Sequence, residues 1–385
     1  MSSIYDQRYI KLVEHLIQAR EKSHLTQVKL ARKLGIEQST VSKIENFDRR
    51  LDVVELFDWL AAIEHDPLAF LREVGWIDEE DGKGTPALPV PGKATPYIVN
   101  DADAGTIVEM AWHGERRQIV IENMPVDGYL ALESKISQIF KSLNDGKGGK
   151  NRDAIRKALE VGFYTFPDVN PSDIYHHIVY RIYLREYTKT QADRSWVRAG
   201  GEAVELFLQR HYNQVLEPII TLRWLSNSEL KLAALHEMGI QEEVGGSKLD
   251  IALYGKLNGR QVLFGGIHVK ASLAERVSDD VPCSEAMIRK GFSSYLLTFD
   301  AKSYPPPGDL VNRGEFGTPN VPSDKRAYIE SHGSFSACYC YNLRSTPSGE
   351  KTSSGKKIFV STFSRKIDPF PQEIKRAWET FLRRL

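Results

Sequence analysis

Asp250 and Lys270 are the residues of this chain whose types and spacing first suggest chemistry. They lie twenty positions apart in LDIALYGKLNGRQVLFGGIHVKAS, where two apolar runs flank a Gly-containing turn. Two strands joined at such a turn form a hairpin, and a hairpin would bring both side chains to one edge of a sheet. A carboxylate beside a lysine there can hold Mg²⁺ and orient a water for attack on a phosphodiester. Taken alone, the pair reads more readily as a salt bridge between neighbouring strands, so the surrounding elements and residues must decide.

Those elements read as a mixed α/β arrangement. Strands over LDIALYG and QVLFGGIHVKAS precede a helix near 284–291 and a strand over SSYLLTFD. A stretch rich in Pro and Gly runs over 303–322, strands follow near Ala337 and Ile358, and a helix begins near Pro371. Upstream, 173–187 and 201–216 have helical periodicity. Residues 97–123 are β-rich and 127–143 helical. Before them GKGTPALPVPGKATP, residues 82–96, carries four prolines and three glycines and reads as a linker.

The N-terminal 81 residues carry a second chemistry. A helix near Tyr5–Arg20 has Ile10, Val13, Leu16 and Ile17 on one face. Thr26 can cap a second helix with Leu30, Ala31 and Leu34 inward, and Gly35 supplies a tight turn. A third helix, Gln38 to Glu45, points Val41 and Ile44 inward. A fourth runs Val53–Ile63, and Pro67 starts a fifth. LTQVKLARKLGIEQSTVSKIEN resembles the Cro/phage-repressor helix-turn-helix over some 55 positions. The third helix would offer Gln38, Ser39, Thr40 and Lys43 to base edges or phosphates in a major groove. Gln27 would reach a phosphate, and Arg49 suits the DNA backbone. Charge follows the same division. Residues 1–50 hold ten Lys/Arg against six Asp/Glu, and residues 51–84 hold two against ten.

The 250–291 block resembles the CCGG group of type II restriction endonucleases, especially its BsaWI-like members. The PD-(D/E)XK pattern places an acid two residues before the lysine. Here His268 fills that position, and hard cations prefer oxygen. In the CCGG group the second acid moves to the helix after the lysine strand. Glu285 is in that place here, fifteen residues past Lys270. The resemblance implies that Asp250 and Glu285 coordinate Mg²⁺ and that Lys270 orients the water or stabilises developing charge. It also implies a reading element at Ala274-Glu275-Arg276. Arg276 would be bidentate to guanine O6/N7, and Glu275 would accept from cytosine N4. The first arginine of that element is Ala274 in this chain. Restriction-fold nucleases begin with a helix whose glutamate points at the metal. Glu205 is the choice, since Val204, Phe207 and Leu208 would then face the core, and Glu202 is the fallback. Asp279 and Asp280 read as loop or cap charges.

Composition sets the outer limits. The chain has 385 residues and 43.6 kDa, 41% hydrophobic and 26% charged, enough for two or three folded domains. Its 51 basic residues balance its 51 acidic ones, which excludes a histone-like polyanion coat and leaves a basic face open. No run approaches the ~20 apolar residues of a membrane span, and MSSIYDQRYIKLVEH lacks the features of a secretion signal. Cys283, Cys338 and Cys340 read as reduced structural thiols. His176-His177 reads as ordinary.

The expectation is a multidomain chain: an all-α helix-turn-helix domain (1–81), a linker (82–96), an intermediate α+β segment (97–150) and a mixed-sheet, restriction-endonuclease-like α/β domain (151–385). It would make Mg²⁺-dependent double-strand cuts at a short palindromic, CCGG-containing DNA site, with the helix-turn-helix domain adding DNA contacts or autoregulation, as a homodimer or higher homo-oligomer in the cytoplasm. A cognate DNA methyltransferase would be its functional partner. The rival reading is a helix-turn-helix repressor whose C-terminal domain senses a ligand or dimerises. A second rival is a modification-dependent nuclease in which residues 97–150 read a methylated base.

Overall fold

The computed structural model describes residues 7–76, 97–102, 105–112, 115–144, 150–188, 191–244, 249–273, 277–302, 312–364 and 366–385. The chain divides into two compact units, Met1–Ala87 and Leu88–Leu385.

Five helices build the first unit: α1 (Gln7–Lys22), α2 (Gln27–Leu34), α3 (Gln38–Glu45), α4 (Val53–Ala62) and α5 (Pro67–Glu73). Their ends are set locally. Thr26 Oγ1 accepts from the Lys29 amide, and Gly35, at φ +67°, closes α2 with its N–H on the carbonyls of Ala31 and Arg32. Asp52 and Glu55 form a reciprocal capping box at α4, and Asp66 caps α5 ahead of Pro67. The core contains Val13, Leu16, Leu30, Ala31, Val41, Ile44, Trp59, Leu60 and Phe70. Arg20 reaches into it to pair with the buried Glu45, its Nε 2.6 Å from Oε1.

The second unit opens with an antiparallel sheet, β1 (Tyr97–Ala102), β2 (Gly105–Trp112) and β3 (Glu115–Glu122). Then come α6 (Val126–Asn144), α7 (Asn151–Thr165), the short α8 (Pro171–Asp173), a π-helical stretch over Ile174–Val179, α9 (Tyr180–Glu186) and α10 (Ala192–Leu216). The main sheet follows: β4 (Ile220–Trp224), α11 (Ser228–Glu237), β5 (Ile251–Leu257), β6 (Arg260–Lys270), α12 (Val281–Arg289), β7 (Ser293–Thr298), α13 (Asp324–Glu330), β8 (Ala337–Cys340), β9 (Ile358–Val360) and α14 (Phe370–Leu382). Its strand order is β4-β5-β6-β7-β8-β9. The first three strands are antiparallel neighbours and the last four are parallel, so the sheet is mixed. A parallel step needs a crossover, and α12 supplies it between β6 and β7.

One continuous core joins Val108, Ile119 and Ile121 of the small sheet, Ile136 and Phe140 of α6, Phe207 and Tyr212 of α10 and Phe264 and Tyr295 of the main sheet. The expected boundary at residue 150 therefore falls inside a single core, and the 97–150 segment packs as part of this unit. The linker expected over 82–96 lies outside the described residues. Helix α10 begins nine residues earlier than its periodicity predicts. Gly255 lets α14 close on the sheet, since a Cβ there would stand 2.4 Å from the Trp378 ring. The cysteines are free and buried. His177 is buried 3.8 Å from Asp173 Oδ1, and burial holds its imidazole well below its ordinary range. No described helix is long and apolar enough to cross a membrane.

Candidate active site

The hairpin expected from sequence is β5–β6, with Ile251 opposite Ile267 and Ala252 opposite Gly266. Asp250 stands one residue before β5, its amide bonded to the Ile267 carbonyl. Its carboxylate turns along β6 and accepts the Val269 amide at Oδ2, 2.8 Å away. Lys270 closes β6. The β5–β6 register continues to Asp250 opposite His268, and strand alternation puts residues 268 and 270 on one face, which brings carboxylate and lysine to one sheet edge.

Glu205 reaches this edge from α10. Asn213, two turns further on, donates to the Leu222 carbonyl at 3.0 Å and accepts the Leu222 amide at 2.7 Å, which fixes α10 against β4. In that register Trp224 Nε1 donates to Glu205 Oε2 at 2.6 Å, while the Arg152 guanidinium lies 4.9 Å from the Trp224 ring. Val204, Phe207 and Leu208 are buried, as the helix face requires. Burial, and then the charge of Asp250, push the Glu205 carboxyl up to about 8. The Trp224 hydrogen bond and the ammonium groups of Lys231 and Lys270 oppose that rise. Glu202, the fallback, pairs with Arg152 and Arg198.

Two further charged groups belong to the cluster. Lys231, on α11, places Nζ 3.0 Å from Asp250 Oδ1. Asp280 occupies the N-cap position of α12, makes no capping hydrogen bond, and stands with Oδ2 2.9 Å from Lys270 Nζ. Its side chain is 1% exposed. Asp280 thus holds the expected cap position, but its carboxylate pairs with Lys270 instead of capping the helix. Glu285, the expected second acid, has its own partner. Its Oε1 accepts from Ser334 Oγ at 2.8 Å, and it is not brought to Asp250, Lys270 or Glu205. Helix α12 turns about 100° per residue, and the hydrogen bond of Ser284 to Ser294 on β7, 2.6 Å long, sets its rotation. That rotation faces Asp280 to the lysine and Glu285 to the 331–336 turn. His268 is buried with its ring edge-on to Phe335 at 5.6 Å. Glu275 and Arg276 lie outside the described residues.

Glu205 and Asp250 offer oxygen donors in a partly desolvated place, which suits a hard cation. Among the described residues no three His, Cys, Asp or Glu side chains form a ready cage, so water or DNA oxygens would complete any coordination. Sequence reasoning missed Lys231 and Trp224, which carry no local signal. A signal for Asp280 existed: an acid directly before VPCSEAMIR, at a helix start with proline at its second position.

In the first unit, Gln38 and Ser39 are exposed on α3, Lys43 is exposed one turn on, and Thr40 is half-buried. Gln38 Nε2 donates to Gln27 Oε1 at 2.8 Å, and Gln27 Nε2 donates to Glu45 Oε2 at 2.7 Å. Gln27 thus braces α3 from α2. Arg49 Nη2 pairs with Glu55 at 2.5 Å, so the residue expected at the DNA backbone also supports the α4 cap.

A family model described as "BsaWI restriction endonuclease type 2" matches residues 223–367, and one described as "Helix-turn-helix" matches residues 16–64. "Type II restriction enzyme AgeI" from Thalassovita gelatinovora is 47% identical over 260 residues, which cover 66% of this chain and 92% of that protein. The crystal structure of an AgeI–DNA complex superposes with a TM-score of 0.64 and 44% identity, over 70% of this chain and 99% of its own. An XRE-family like protein from Pseudomonas syringae pv. tomato is 43% identical over 19% of this chain and 90% of its own, with a TM-score of 0.18.

Proposed function

The chain belongs to the type II restriction endonucleases of the BsaWI kind, and we propose that it makes Mg²⁺-dependent double-strand cuts at a short palindromic DNA site containing CCGG. The observation that carries this reading is the convergence of Glu205, Asp250, Lys270 and Asp280 at one end of the β5–β6 hairpin.

Glu205 and Asp250 are the carboxylates that would hold the ion. Bound Mg²⁺ would supply an acidified water and neutralise charge at the phosphate. Trp224 keeps Glu205 aimed at the site. Lys270 orients the attacking water or stabilises charge developing on the phosphate, and Asp280 holds its ammonium in place. Attack at phosphorus leaves a 5′-phosphate. Glu275 and Arg276 follow Lys270 closely in sequence and have the chemistry to read C and G edges. A two-fold symmetric site calls for a homodimer, because each copy then presents the same residues to each half-site. A methyltransferase modifying the same site would be the functional partner, and the cytoplasm the place of action. The helix-turn-helix unit would add DNA contacts through Gln38, Ser39, Thr40 and Lys43, or hold the enzyme at its own promoter.

The test is incubation of purified protein with unmodified phage DNA, with Mg²⁺ or with EDTA. Discrete bands only with Mg²⁺ are expected, and sequencing their ends gives site and cut position together. DNA retarded in a gel without cutting under any metal condition would overturn the nuclease mechanism and leave the repressor reading. If deleting residues 1–90 changes neither site choice nor promoter binding, the roles given to the first unit fall.

A further inference from the structure

Lys231 has no part in the chemistry described so far, yet it touches the residue at its centre. Its ammonium lies 3.0 Å from Asp250 Oδ1. Asp250 Oδ2 is taken by the Val269 amide. Both oxygens of this carboxylate therefore already face donors, and a cation at Oδ1 must displace or share with the lysine. The base of the lysine is held firmly. Asn227 caps α11 by accepting the Leu230 amide at 2.9 Å, and the Leu225 amide bonds the Asp250 carbonyl at 2.9 Å. Its tip is free to move, because the side chain is 21% exposed and ends on a flexible four-carbon stem. Lys270 is placed differently, with its ammonium against the buried Asp280.

Replacing the lysine by a divalent cation adds positive charge to the same oxygen. The two cations repel each other, so the exchange is most favourable when the displaced ammonium finds another anion close by. A DNA phosphate entering the site is such an anion, and lysine contacts phosphates as a mobile point charge. We propose that Lys231 is a positioning residue that couples metal binding to DNA. It occupies Asp250 until a DNA phosphate draws its ammonium away, and the ion then takes Oδ1. Coupling of this kind is reciprocal, so the metal tightens DNA binding by the same factor. The inference rests on the metal-dependent nuclease reading given above.

The experiment is Mn²⁺ binding to the full-length protein, followed by the free-ion electron paramagnetic resonance signal, without DNA and with a 30-base-pair CCGG duplex. Without DNA, Lys231→Met and Lys231→Gln should bind Mn²⁺ roughly tenfold more tightly than wild type, within the usual range of coupling. Lys231→Arg, which keeps the charge, should stay near wild type. The duplex should tighten Mn²⁺ binding to wild type and leave the two neutral variants nearly unchanged. Equal or weaker Mn²⁺ binding by both neutral variants would overturn the proposal, as would an equal gain from DNA in every protein. Failure of the underlying reading looks different: wild type would then cut no DNA with any divalent ion, and Asp250→Asn would bind Mn²⁺ as wild type does.

Discussion

The two units of this chain place their proposed functional groups by opposite means. In the helix-turn-helix unit, Gln27, Gln38, Ser39, Thr40 and Lys43 come from two consecutive helices joined by a short turn. Their outward direction follows from Leu30, Ala31, Val41 and Ile44 pointing inward. In the nuclease unit, Glu205, Asp250, Lys270 and Asp280 come from the middle of a long helix, the start and end of a hairpin and the start of a crossover helix. No local pattern joins them; the sheet does. The groups proposed to face DNA are largely exposed, and apart from the hydrogen-bonded pair Gln27 and Gln38 a change to one should leave the others nearly as they are. The proposed catalytic groups are desolvated together, so each alters its neighbours, and Glu205 is the clearest case.

The largest effects should break the catalytic cluster. Asp250→Asn and Lys270→Ala should lower the single-turnover cutting rate by roughly 10²–10³, the loss expected when one group stabilising a transition state is removed. DNA binding in a mobility shift should remain. Cutting by Lys270→Ala at the wild-type rate would refute the mechanism as written.

A sharper comparison sets Asp280→Asn against Glu285→Gln. Loss of the Asp280 charge frees Lys270, and misplacement of a catalytic group costs roughly a hundredfold in rate. Glu285→Gln should cut near the wild-type rate, because its partner is Ser334. The opposite order in a cleavage time course would return the second acid to Glu285.

The pH dependence should come from Glu205. Its folded carboxyl is raised to about 8, so below that pH the metal-free protein carries a proton there that a bound ion must expel. Metal affinity should rise roughly tenfold per pH unit over the neutral range and level off near pH 8. In metal-free protein the sign for stability is the reverse. The raised group contributes most below the ordinary carboxylate range, and that contribution is lost as pH rises through about 8. Glu205→Gln should remove both slopes, as read by calorimetric metal titrations and melting curves across pH.

Changes in the first unit should be milder. Gln38→Ala should cost roughly 1–3 kcal/mol on the sequence that unit prefers, and Lys43→Ala should lower the salt dependence of binding by about one ion. Cutting rates at saturating DNA should not change in either. Smallest of all, Asp52→Ala removes a capping side chain and should destabilise the first unit by about 1 kcal/mol in a thermal melt, with the nuclease unit unaffected.

The helices of the first unit were legible almost to the residue, since α2 begins after Thr26, α3 spans Gln38–Glu45 and α5 starts at Pro67. Caps and periodicity act within one turn, and sequence records both directly. The β5–β6 hairpin was legible for the same reason. Helix α11 was not: Leu230 and Leu232 are exposed, so its apolar residues trace no single buried stripe. Lys231 went unseen with it. The unity of the second core was also hidden, because Val108 and Phe264 come into one core only after the chain between them has folded.

Sequence by itself determined the class of this protein. A helix-turn-helix and the Asp–Lys hairpin of a nuclease are each written in local pattern, where near neighbours decide the conformation. Only the tertiary structure decided which acid stands with Lys270. Asp280 and Glu285 differ by five positions at the start of one helix, a separation that sequence distance alone hardly weighs. On a helix those five steps leave them about 140° apart in rotation. The packing of Ser284 on Ser294 fixes that rotation, turning Asp280 toward the lysine and Glu285 away.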